Sequence, residues 1–120
     1  MVTYLGKHLT VDGVCGGVGK DLLKDFSFFY QFLESFPKKI DMIPISSPFV
    51  IKYLNPPDPA WGLTGFIIIS TSHISFHTFP EKNTLHFDCF SCRSFEEELI
   101  VNHLRGIFNF TEVKIQVLDR

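Results

Sequence analysis

A chain of 120 residues has room for one domain with one hydrophobic core, and its net charge of -2 offers no basic surface for nucleic acid. No apolar run approaches the roughly 18 residues of a membrane span, and the start lacks a signal-peptide pattern. Three cysteines, Cys15, Cys89 and Cys92, are an odd number better read as thiols than as a disulfide framework, so a cytoplasmic protein is expected. The 14 Phe imply either a Phe-rich core or aromatic surface reserved for an interface or a pocket.

Residues 4–14 read as a first strand, with Leu9 and Val11 alternating against His8, Thr10 and Asp12. Gly16-Gly17-Val18-Gly19-Lys20 lacks the spacing and the Lys-Ser/Thr ending of a phosphate-cradling loop, and reads as a flexible turn. Over residues 21–36, Leu22, Phe26, Phe29, Leu33 and Phe36 fall on one helical face, and Pro37 ends the pattern. Residues 41–54 read as extended chain that Pro44 and Pro48 restrict to a sheet edge or a bulge. Asn55-Pro56-Pro57-Asp58-Pro59 is a stiff loop leading to Trp61 and Thr64.

Gly65-Phe66-Ile67-Ile68-Ile69 is a buried strand, and polar, reactive side chains follow it. Over residues 72–81 the alternation predicts His73, Ser75, His77, Phe79 and Glu81 on one face, with Ile74 and Phe76 on the other. Lys82-Asn83 makes a turn, and residues 85–92 form a strand with Asp88, Phe90 and Cys92 sharing a face. Ser94 is predicted to cap a helix in a capping box with Glu97, burying Phe95, Leu99, Leu104 and Ile107, with Gly106 weakening its end. Residues 112–118 alternate as a last strand with Val113, Ile115 and Val117 facing inward. This order predicts an α+β two-layer sandwich, an antiparallel sheet with helices packed on one face.

Ser72-His73-Ile74-Ser75-Phe76-His77-Thr78-Phe79-Pro80-Glu81, followed by Phe87-Asp88-Cys89-Phe90-Ser91-Cys92, resembles the signature of the prokaryotic S-adenosylmethionine decarboxylases. That family carries Glu-Ser-His-Ile-x-Ile-His-Thr-Trp-Pro-Glu and then a strand ending in cysteine and glycine. Weaker similarity extends over the whole chain. The resemblance implies a self-made pyruvoyl cofactor, which accepts electrons through a Schiff base with the substrate amine, and a homodimer with its active site near the subunit interface.

Carried over by position, Ser72 is the implied pyruvoyl precursor. Cleavage between Thr71 and Ser72 would give a β chain of residues 1–71 and an α chain of residues 72–120. His77 is the implied processing base, Thr64 the hydroxyl that assists processing and Cys92 the thiol that reprotonates the product carbon. Glu81 is the implied ribose ligand, and Phe79 stands at the signature's Trp. No metal ligand set is implied. Taken singly, each has a plainer reading: a hydrogen-bonded strand serine, a structural histidine, a small buried thiol, or half of a Cys89-x-x-Cys92 redox or zinc pair.

Thr71 stands where the family has Glu, and Arg93 stands in place of the glycine after the catalytic cysteine. Counted back from Thr64 without gaps, the family's adenine-stacking Phe falls at Asp58. A carboxylate there suits a guanidinium or ammonium group better than a purine, unless Trp61 or Phe49 takes over the stacking. The expected substrate is S-adenosylmethionine, with arginine or ornithine as the alternative. A third reading is an unprocessed homologue acting as a regulatory subunit.

Overall fold

The computed structural model describes residues 6–55 and 58–120, without the side chains of residues 55–60. Six strands form one sheet: β1 (Lys7–Cys15), β2 (Phe49–Asn55), β3 (Asp58–Ile69), β4 (Ser72–Phe79), β5 (Thr84–Ser91) and β6 (Phe110–Asp119). Their order is β2-β3-β4-β5-β1-β6, and every neighbouring pair is antiparallel. Three helices, α1 (Gly17–Asp21), α2 (Phe26–Lys39) and α3 (Glu97–Phe108), complete the second layer. This is the expected α+β sandwich. Tyr4, at the start of the expected first strand, lies outside the described residues.

Strand alternation makes one face of the sheet apolar. Leu9, Val11, Leu63, Ile67, Ile74, Phe76, Leu85 and Phe87 are all buried there. The helices supply the matching surface, with Phe29 stacked on Phe76 at 4.3 Å and on Phe108 at 5.9 Å between ring centroids. Phe36 meets Phe87 edge-on at 5.9 Å. Much of the Phe surplus is therefore core packing.

Several local expectations are corrected. The glycine segment is the short helix α1 rather than a flexible turn; Gly17 enters it with φ 50°, which favours glycine, and Gly19 lets it pack where a Cβ would lie 2.0 Å from the Phe108 carbonyl oxygen. Helix α2 begins at Phe26 because Asp25 accepts the Phe28 N–H at 3.0 Å, which leaves Phe26 exposed and makes Phe29, Phe32, Leu33 and Phe36 the buried stripe. Pro37 sits in the last turn, where one lost backbone bond does not stop the helix before Lys39. Ser94 does not cap α3: Glu96 holds that position with no side-chain bond, and Ile100, Val101, Leu104 and Phe108 face the core while Leu99 is exposed. Pro44 forms a lone bridge to Ile69, and β2, which starts after Pro48, is an edge strand. On the other edge strand, Val113 is half-buried but Ile115 and Val117 stay exposed.

Gly106 lies inside α3, and a Cβ there would meet nothing within 4 Å. Gly106→Ala is expected to stabilise the fold by about 0.5–1 kcal/mol, since it lowers the entropy of the unfolded chain without a clash. A rise in the urea midpoint at unchanged slope would show it.

Candidate active site

Strand pairing decides where the reactive residues go. Only Ser70 and Thr71 separate Ile69 at the end of β3 from Ser72 at the start of β4, and Ser72 also pairs with Ser91 at the end of β5. The chain leaving β5 therefore passes the β3–β4 turn, and contacts converge there. The Ser72 hydroxyl lies against the Thr71 carbonyl oxygen. The Cys92 N–H donates to the same oxygen at 3.3 Å, and Cys92 Sγ is 3.7 Å from Ser72 Oγ. A hydroxyl set on the preceding carbonyl, with a backbone donor on its oxygen, can carry out an N-to-O acyl shift.

The three thiols differ sharply. Cys15 and Cys89 are buried, and burial pushes them up to about 11 and about 12, so they stay protonated and unreactive. Cys92 is exposed beside Ser72. Cys89 points into the core and Cys92 does not, so their spacing makes no pair.

A second group stands at the far end of β4. Thr64 on β3 is directly opposite His77, and its hydroxyl is hydrogen-bonded to His77 Nδ1. The Phe79 ring meets Tyr53 at 6.1 Å and His86 at 5.4 Å. Glu81 does not continue the strand face as expected: β4 ends at Phe79, and Pro80 starts a short 3-10 turn that carries Glu81 into solvent. Burial, and then the Glu81 charge, raise the Tyr53 phenol above its ordinary value. The Asp58 backbone pairs with Asn55 at this end, and its side chain lies outside the described residues.

The expected site residues thus fall into two half-sites. Ser72 and Cys92 stand at one end of the sheet, with Thr64, His77, Phe79 and Glu81 towards the other. Five residues at a strand rise of about 3.3 Å separate Ser72 from His77 by roughly 16 Å. An odd separation also gives the two residues opposite parity on the strand. One copy of the chain does not bring His77 to its own Ser72.

The sheet face away from the helices carries the rest. His8 Nε2 is 3.1 Å from Asp88 Oδ1, and His86 Nδ1 is 2.6 Å from Asp12 Oδ1. Partial burial, helped by His8, holds the His73 imidazole below its ordinary value, against the pull of Asp88. A cleft of about 510 Å³ on this face is lined by Phe49, Thr64, Phe66, Ile68, His73 and His77. Trp61 is occupied elsewhere, between Lys24 at 5.0 Å and Lys52 at 4.2 Å, so Phe49 and Phe66 are the aromatic surfaces the cleft offers. His86 and Phe66 were missed by sequence reasoning: Phe66 shares the strand parity of Thr64, whereas His86 meets His77 only through the β4–β5 register.

Residues 7–120 match the family model described as S-adenosylmethionine decarboxylase. The chain is 30% identical over 116 residues to S-adenosylmethionine decarboxylase proenzyme 2 of Bacillus cereus strain ZK / E33L, covering 96% of this chain and 88% of that protein. It is 32% identical over 118 residues to the S-adenosylmethionine decarboxylase proenzyme of Clostridium botulinum strain Loch Maree, covering 98% and 95%. Among solved structures, the adenosylmethionine decarboxylase of Aquifex aeolicus superposes with a TM-score of 0.75 at 24% identity, covering 99% of this chain and 92% of that one, a likeness of fold. A match that spans nearly the whole chain, in model and in relatives alike, means that the protein belongs to the S-adenosylmethionine decarboxylase family.

Proposed function

We propose that the chain is a self-processing, pyruvoyl-dependent decarboxylase that acts on S-adenosylmethionine in polyamine synthesis and works in the cytoplasm as a homodimer. The observation that carries this reading is the Ser72 hydroxyl on the Thr71 carbonyl, with both the N–H and the thiol of Cys92 beside it. Those residues fit a pyruvoyl group made from Ser72. Among the described residues no helix is long and apolar enough to cross a membrane.

In processing, Ser72 Oγ adds to the Thr71 carbonyl carbon, and the Thr71–Ser72 C–N bond breaks as the nitrogen takes up a proton. The chain is then joined through an ester. A base removes the Ser72 α-proton, the Cβ–Oγ bond breaks, and Thr71 leaves as a carboxylate, the new end of a β chain of residues 1–71. The dehydrated Ser72 takes up water and loses ammonia, giving the pyruvoyl end of an α chain of residues 72–120. When present, that group supplies the carbonyl that accepts the electron pair released by loss of carbon dioxide. The neighbouring Cys92 thiol then returns a proton to the product carbon.

The base for elimination is His77, supplied by a second copy. A two-fold axis lying between two open sheet faces and crossing their strands sets the Ser72 end of one sheet over the His77 end of the other. Packed sheets lie about 10 Å apart, so the His77 side chain on the open face of one copy reaches towards the Ser72 backbone of the other, which carries the α-proton. The open face suits such packing, since Phe49, Ile51, Phe66 and Ile68 are between 40% and 53% exposed on it. In the same dimer Glu81 of the second copy is the residue that binds the substrate ribose.

Relatives named as S-adenosylmethionine decarboxylase proenzymes favour the nucleoside substrate over arginine or ornithine. Purified, cleaved protein is expected to release carbon dioxide from S-adenosylmethionine and not from the two amino acids. Release from arginine or ornithine alone would overturn the substrate assignment while leaving the chemistry in place.

A further inference from the structure

One polar side chain beside the scissile turn is fully buried and has no role in the steps above. Ser91, 0% exposed, ends β5 directly opposite Ser72. Its hydroxyl is 2.8 Å from the Thr71 hydroxyl and accepts the Arg93 N–H at 3.0 Å. Burying a hydroxyl is costly unless its bonds are made, and here both bonds go to segments that flank the reaction. One is the residue whose carbonyl is attacked; the other is the loop that delivers Cys92.

We infer that Ser91 is a positioning residue for self-cleavage, a hub that ties the Thr71 side chain to the 92–93 loop and so holds the Thr71 carbonyl under the Cys92 N–H. The inference rests on the self-processing reading and deepens it. Ser91 touches no reacting atom. It acts by fixing two groups that do: the carbonyl oxygen, where negative charge develops as Ser72 Oγ attacks, and the backbone donor that meets that charge.

The test is a double-mutant cycle on the rate of chain cleavage, followed by intact mass after synthesis of the full chain. Ser91→Ala and Thr71→Val are each expected to slow cleavage about tenfold to a hundredfold, the scale of one lost buried hydrogen bond at a positioned reactant. Because both substitutions break the same bond, the double variant is expected to be no slower than the slower single, whereas independent packing defects would multiply. Ser91→Thr keeps the hydroxyl and is expected to recover most of the rate. Thr71→Val preserves shape at a half-buried turn residue, so it keeps the test informative if Ser91→Ala does not fold. Singles that cleave at the unaltered rate, or slowdowns that multiply, would overturn the role of Ser91. An unaltered chain that never cleaves would instead overturn the processing reading itself.

Discussion

His77→Ala is expected to stall as an uncleaved ester. The N-to-O shift requires the Ser72 hydroxyl and the Thr71 carbonyl, which are in contact without any help from His77. Elimination requires a base at the Ser72 α-carbon, and a positioned imidazole contributes about 10²–10⁴-fold to such a proton transfer. Hydroxylamine should therefore split the variant between Thr71 and Ser72, because it attacks esters and spares amides, while the untreated chain stays whole. The two half-sites make a second expectation. Co-expressed with Ser72→Ala chains, His77→Ala chains should recover cleavage, because in a mixed dimer the Ser72→Ala copy brings an intact His77 to the intact Ser72 of its partner. Cleavage that is not restored by mixing would mean that each chain serves itself.

Cys92→Ala should separate processing from turnover. The substitution keeps the backbone N–H on the Thr71 carbonyl and removes only the thiol 3.7 Å from Ser72 Oγ. Cleavage should therefore continue within a few-fold of the unaltered rate. Decarboxylation should fall by about 10²-fold or more, the worth of a positioned acid, with the loss in kcat rather than in KM. A proportional loss in both steps would place the thiol in the acyl shift as well.

The layers of the fold were legible because its periodicities are strong. Alternation through Leu9 and Val11 and through Ile74 and Phe76, and the 3.6-residue spacing of Phe29, Leu33 and Phe36, each reflect burial against a single apolar layer. Boundaries were less legible, because they depend on backbone partners rather than on side-chain pattern. Asp25 starts α2 four residues later than the apolar stripe implies, and Asn109 ends α3 in a left-handed conformation three residues beyond Gly106. Ser72, His77 and Cys92 stood out as an ordered motif, and the resemblance implied an active site near a subunit interface, but which residues stand together within one chain was not legible. A linear motif gives the order of residues, while strand rise and sheet order decide which of them meet within one chain. Ser91 escaped notice for a related reason. A serine in a strand is unremarkable until its partner across the turn is known.

The most direct test of self-processing is the intact mass of the purified protein beside its Ser72→Ala variant. The account predicts two fragments, residues 1–71 ending in a free carboxylate and residues 72–120 lighter than the plain peptide by one ammonia, with the Ser72→Ala chain remaining whole at close to 13.8 kDa. A single 13.8 kDa chain that persists on incubation would contradict it and leave the protein an unprocessed member of its family.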